Sequence, residues 1–438
     1  MKIKNTLLTS ISALALSTGA AMANGSSVFA EQRGVDNSAE FTQQVGGSPG
    51  HQAGLVDSPI TQDGNLNELS IVQRFQWNNR IVLPGGVFVQ SGDRNIADII
   101  QGIDGIGAAQ NLVIGTVTQS GVSGAAATQN QLTIQQAGGA SRTNVEQINP
   151  TGGAANIGTI WMTGFQSHRS IFASVGAVLG GGLLQNGAGN EADVFMNGGF
   201  GGVHNVINRV RQQGDENFAR VSLGTMTQSV IDNGRFGLGG ASQISGNIAA
   251  PSSQFIQLGD DNFLDVLITG NSNSYGVIQR GDSNSVGTIV VPGTANKLGI
   301  VQDGFSNIVN IPGFNGDDNN VGLLQQGDIN NIDLSITGNF NGSPSAFSGV
   351  ALAAANVEGL ISGQMEQFGN DNTMDVQING SSNAFAMRQG TSFVPRDGNR
   401  ITGTISGSDN AVAVTQLSNN NTATFVQDGM SNSMAITQ

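Results

Sequence analysis

The 438-residue chain has no cysteine, so it forms no disulfide and offers no thiolate to a metal. It has three histidines, at 51, 168 and 204, too scattered in sequence to suggest a zinc site. Charged residues make up 11% and aromatics 5%, both low for a globular enzyme. Basic residues are the scarcer sign: 17 Lys and Arg against 31 Asp and Glu, a net charge of −14. That balance excludes a basic nucleic-acid-binding face. It fits a chain kept soluble, and slow to self-associate, by repulsion. After the first segment no apolar run is long enough to span a bilayer, so the chain is not expected to be membrane-spanning. This composition could mean disorder, but disordered chains are usually charge-rich and apolar-poor, and 38% of this one is apolar.

Glycine is abundant, 64 residues, and it recurs on a period. From Gln257 to Asn341 the sequence reads as blocks ending in Gly-x-x-Asn, with glycines at 259, 270, 281, 293, 304, 316, 327 and 338. Alternate blocks carry Gln two places before the Gly, giving a full period of about 23 residues. Between turns the pattern alternates. Ile332, Leu334 and Ile336 take one face, and Asn331, Asp333, Ser335 and Thr337 take the other. Alternation bounded by Gly, Asn and Asp marks half-buried strands, and the frequent glycines argue against helix. The turn glycines are expected to supply a positive φ, and the turn asparagines to tolerate the left-handed region and bond the turn backbone.

One repeat is thus strand, turn, strand, turn. Alone it cannot bury its apolar face; stacked copies can, with rungs about 4.8 Å apart. The fold class expected is all-β: a parallel β-solenoid of repeats of about 22–23 residues, amyloid-like in its stacking. Gln-x-Gly-x-x-Asn occurs at Gln32, Gln62, Gln90, Gln185, Gln212, Gln257, Gln279, Gln302, Gln325, Gln367 and Gln427. In register, these glutamines form a ladder in which each amide bonds the next. The paired turn residues include Gly259 and Asn262, Gly281 and Asn284, Gly304 and Asn307, Gly327 and Asn330, Gly369 and Asn372, and Gly429 and Asn432.

In chain order, residues 1–23 have the form of a secretory signal. Lys2 and Lys4 precede the apolar stretch Leu7 to Leu16, and Ala21-Met22-Ala23 is a cleavage sequence. A short leader follows at 24–31. Residues 32–256 read as irregular solenoid repeats interrupted by Gly/Ala-rich insertions, and 257–438 as regular repeats with insertions near 343–362 and 390–400. The first of these two is long enough for a short helix or flap.

The Gln-x-Gly-x-x-Asn repeats resemble those of curlin, the subunit family of curli fibres. The resemblance is tight over 257–341 and 407–438 and looser over 96–256. It implies a secreted structural subunit that self-associates into an extracellular fibre of the functional-amyloid type, for cell adhesion and biofilm matrix. It also implies export through a curli-type outer-membrane pore and work beside a nucleator or major subunit. Curlins carry Gln on both strands of a rung. Here the second strand more often ends in Ile268, Val291, Ile336, Ile378 or Ile405, and Gln416 is read as restoring Gln to it near the C-terminus. The alternative on the same fold is a surface adhesin that does not polymerise. No acid/base constellation supports an enzyme and no cofactor is implied. The turn aspartates Asp260, Asp261, Asp282, Asp303, Asp317, Asp318 and Asp328 suit a calcium edge less well than a solvated turn that blocks off-register stacking.

Overall fold

The computed structural model describes residues 27–44, 51–74, 80–81, 87–101, 113–136, 140–160, 169–172, 182–195, 206–207, 209–222, 254–268, 273–287, 289–342 and 347–438. The expected export signal lies outside the described residues, as do His168, His204 and one of the Gly/Ala-rich insertions, residues 234–240. The chain divides into two units, 1–228 and 229–438.

Both units are stacks of parallel strands in two sheets, as a β-solenoid requires. In the second unit the first sheet runs Gln254–Leu258, Ser274–Arg280, Lys297–Asp303, Asn320–Gln326, Gln364–Phe368, Ala384–Gln389, Ala411–Gln416 and Ser433–Thr437. The second sheet runs Phe263–Ile268, Ser285–Val286 with Val290–Val291, Ile308–Asn315, Asn331–Thr337, Thr373–Asn379, Arg400–Ser408 and Thr422–Met430. The chain alternates between sheets, one strand each per coil. The first unit repeats the plan, with a second short first-sheet strand in several coils, such as Gln52–Ala53 and Arg80–Ile81. Its first sheet pairs Ala30–Arg33, Ile60–Asp63, Phe88–Ser91, Val113–Ser120, Ala140–Ile148, Gly182–Asn186 and Arg209–Gln213. Its second sheet begins with Ser38–Gln44 on Glu68–Arg74. The described strands between 96 and 222 therefore continue the stack. Strand structure also reaches into the expected leader, at Ser27–Val28.

The core lies between the sheets. Ile332, Leu334 and Ile336 are buried, and so are Leu298, Ile300, Val309 and Ile311. Asp333 is only half-exposed. Its carboxylate accepts from the Asn310 Nδ2 at 2.9 Å and the Asn331 Nδ2 at 3.0 Å. Pro312 cannot donate to the ladder, and the register shifts there, between Asn310 and Gly313.

Tyr275, the sole tyrosine, is buried in this core, and its hydroxyl has no hydrogen-bond partner among the described residues. Burial raises its pKa well above the ordinary 10.0. Above pH 10 the unfolded chain releases this proton while the folded chain keeps it, so stability falls as pH rises. Tyr275→Phe is expected to be neutral to about 1 kcal/mol stabilising at pH 7, because an unpaired buried hydroxyl is costly. Denaturant titration at pH 7 and pH 11 should also show a smaller alkaline loss in the variant than in the parent.

The insertion after Asn341 contains one helix, α1 (Gly349–Glu358), built on the Ala-rich run Ala351-Leu-Ala-Ala-Ala355. It stops at Gly359, which takes φ 64°. The second insertion is a turn closed by Thr391 and Val394, which exchange backbone hydrogen bonds, with Phe393 exposed at its tip.

Candidate functional site

The candidate functional element is distributed: columns of Gln and Asn side-chain amides running along each stack. In the second unit the Gln ladder runs 257, 279, 302, 325, 367, 389, 416, 438. Each Nε2 donates to the next Oε1 at 2.9–3.0 Å. In the first unit it runs 32, 62, 90, 119, 147, 185, 212, with Gln62 to Gln90 at 2.8 Å and Gln185 to Gln212 at 2.9 Å. Most of these Nε2 groups also reach backbone carbonyls: that of Gln302 donates to Ser285 O at 3.1 Å and Asn307 O at 2.9 Å. These amides are buried yet saturated, so desolvation is offset bond by bond. The ladder has a direction, since every Nε2 points toward the C-terminal end.

The Asn columns lock the turns. The backbone N–H of Asn307 donates to the Asn284 Oδ1 at 3.1 Å, and its Nδ2 donates to Gly327 O at 2.7 Å. Asn330 does the same with Asn307 and Gly369, and Asn284 with Asn262 and Gly304. The residue in the left-handed region is the one before the Asn: Asp261, Ser283, Ser306 and even the β-branched Ile329 at φ 60°. The Asn is thus needed for its amide rather than for tolerance of a positive φ. Turn acids serve the same stacking. The Asp328 Oδ1 accepts from Phe305 N–H at 2.9 Å, and the Asp282 Oδ1 from Asp260 N–H at 2.9 Å. Burial pushes the Asp93 carboxyl up, but backbone N–H groups of Gly124 and Asn65 outweigh it and hold the pKa below the ordinary value.

Of the eleven expected ladder glutamines, ten stand in it. Gln427 does not: it lies in the second sheet, opposite Ile405, and its Gly429 pairs with Gly407. Asn432 accordingly joins the other Asn column, above Asn410. The motif serves either turn, so sequence alone does not say which sheet its Gln enters. Gln416 moves the opposite way, into the first-sheet ladder between Gln389 and Gln438. The second column is indeed apolar through Ile336, Ile378 and Ile405. In the first unit it holds glutamines, Gln43, Gln73 and Gln101, bonded at 2.7 and 2.8 Å.

Sequence reasoning missed Gln119, Gln147 and Gln389 because their turns lack the full Gly-x-x-Asn. A weaker signal was present, an apolar-x-Gln strand end: Val117-Thr-Gln119, Val145-Glu-Gln147 and Met387-Arg-Gln389. Gln302→Leu should cost about 2–4 kcal/mol, since it strands the Gln325 Oε1 and two backbone carbonyls. Hydrogen exchange should rise in the strands at 279, 302 and 325 and not at 411.

Two comparisons bear on this arrangement. The family model described as the curlin associated repeat matches residues 407–438. A search of the curated proteins gave no match.

Proposed function

We propose that this curlin-repeat protein is a secreted structural subunit that self-associates into extracellular fibres for cell adhesion and matrix formation. The partners this reading implies are further copies of the chain, an outer-membrane export pore, and a nucleator or major subunit. The observation that carries it is the directional ladder, whose two terminal edges are unpaired among the described residues. Among the described residues, no strand pairs with the outer edge of Ser433–Thr437 or of Ala30–Arg33. Among the described residues, Gln438 is the last amide of one ladder and offers a donor, and Gln32 is the first of the other and offers an acceptor. Contact between unlike ends of successive copies is heterologous, and a heterologous contact whose rotation does not close extends a filament. Among the described residues no helix is long and apolar enough to cross a membrane.

Purified chain lacking residues 1–23 should form fibres by electron microscopy and bind an amyloid dye. Gln438 N–H bonds Thr415 O at 2.9 Å, so alternate residues Ser433, Ala435 and Thr437 turn their N–H groups to the free edge. Ala435→Pro removes an edge donor while sparing the rung's own bonds. Growth followed by light scattering should slow about tenfold or more, for a barrier rise of about 1.4 kcal/mol, against little change for Ser123→Pro in a Gly/Ala-rich insertion of the first unit, Gly121 to Ala127. Equal growth rates would reject this edge as the growth site. A parent that never forms fibres would leave the non-polymerising adhesin.

A further inference from the structure

Helix α1 lies along the outer face of the first sheet, and its two ends are tied to different coils. Its Ala351 and Ala355 rest on Ala384, Ala386, Ala411 and Ala413. At the C-terminal end, Arg388 donates to the carbonyls of Glu358 and Gly359 and is held by Glu366 at 2.6 Å. At the N-terminal end, Ser348 makes no side-chain cap. Ser433 supplies one instead: its Oγ accepts from Ala351 N–H at 2.9 Å and donates to Ser348 O at 2.7 Å. Gly349 lets the helix start this close, since a Cβ there would fall 2.7 Å from the Ser433 Cβ. A ten-residue helix is about 15 Å long. That equals three rung spacings, the climb from Gln364–Phe368 through Ala384–Gln389 and Ala411–Gln416 to Ser433–Thr437.

Ser433–Thr437 is the strand that needs such a tie. Among the described residues it is paired on one side only. Its inward side chains Met434 and Ile436 are half-buried, whereas Val412 and Val414, the same positions one coil earlier, are fully buried. With less burial and one ladder in place of two, an edge strand opens at low cost in free energy. Of its outward side chains Ala435 and Thr437 are exposed, and Ser433 is the one gripped by α1.

We propose that α1 is a strap that holds this edge strand paired and extended, with Ser433 as its positioning residue. Helix and strand then order as one unit. Loosening the Ser433 contact from either side loosens both elements, because a coupling free energy is reciprocal. The strap also raises the rate of fibre growth, a role that rests on the reading of Ser433–Thr437 as the edge that receives a further copy. A strand ordered only part of the time accepts a copy only in that fraction.

The test uses chain lacking residues 1–23, in two variants that break the contact from opposite sides. Ser433→Ala removes both bonds to the helix. Gly349→Ala drives a methyl group into Ser433. Val357→Lys, at a side chain of α1 that is 81% exposed, is the control. In the soluble chain, before growth, hydrogen exchange should rise about tenfold or more in both variants, over α1 and at the amides of Met434, Ile436 and Gln438 alike. The strand Lys297–Asp303, several coils away, should not change. Fibre growth followed by light scattering should slow about threefold or more in both variants and not in the control. An edge strand that stays protected when Gly349→Ala frees the helix overturns the strap, as does unchanged exchange in both variants. A rise at Lys297–Asp303 as large as at the edge makes Ser433 a general stabiliser and overturns its positioning role. An opened strand with growth at the parent's rate overturns the role in growth. A parent that forms no fibres overturns that role together with the reading beneath it, while the exchange measurements still decide whether α1 holds the strand.

Discussion

Leu334→Asp is expected to cost about 4 kcal/mol or more. Leu334 is 1% exposed, between Ile332 and Ile336 in the strand and level with Val376 on the next coil. The substitution forfeits about 2 kcal/mol of apolar burial and places a carboxyl where no donor waits. Asp333→Asn is the control. It keeps an acceptor for Asn310 and relieves the stacking of Asp333 on Asp375, so it should shift stability by less than about 0.5 kcal/mol. Solenoids unfold along one dimension, so the damage should centre on neighbouring coils. Exchange should quicken in the strands around 309, 334 and 376 before it does around 412. Equal effects from the two substitutions would mean that the buried face is misassigned.

Gly327→Ala should cost about 3 kcal/mol or more. Gly327 has φ +118°, and a Cβ there would fall 2.1 Å from the carbonyl oxygen of Gly369. Backbone strain contributes about 1–3 kcal/mol. The clash adds to it, because coils held at a rung spacing of about 4.8 Å cannot part locally without breaking ladder bonds. Gly359→Ala separates the two effects. Gly359 has φ 64° at the end of α1 and open space around its missing Cβ, so about 1 kcal/mol is expected. Thermal or denaturant unfolding of the two variants, side by side, tests the difference. Comparable losses would remove the coil-to-coil approach as the reason for glycine at this place.

Both expectations trace to features that differ in how openly the sequence displays them. Strand alternation and the Gly-x-x-Asn punctuation are local, and the period of about 23 residues follows from them. They are sufficient for a parallel solenoid, for Leu334 facing inward, and for ten of the ladder glutamines. The candidate site was less legible. The use of the Asn amide to clamp the glycine carbonyl of the next coil, as Asn307 does to Gly327, involves residues 20 apart and becomes visible only when coils stack.

What the sequence determined by itself is the unit: strand, turn, strand, turn, with one face apolar, because backbone propensity and hydrophobic period are set by neighbours a few residues away. Assignment of a given coil half to a sheet depended on counting half-coils through the insertions, so Gln427 and Gln416 exchanged roles once the coils were closed. The strap was still further from the sequence. Ser433 caps a helix that begins 84 residues earlier, and nothing in Ser431-Asn-Ser433 announces it. The helix and its alanine bed are brought together by stacking alone. Their fit depends on which side chains the register places on the outer face, and register is a property of the assembled stack.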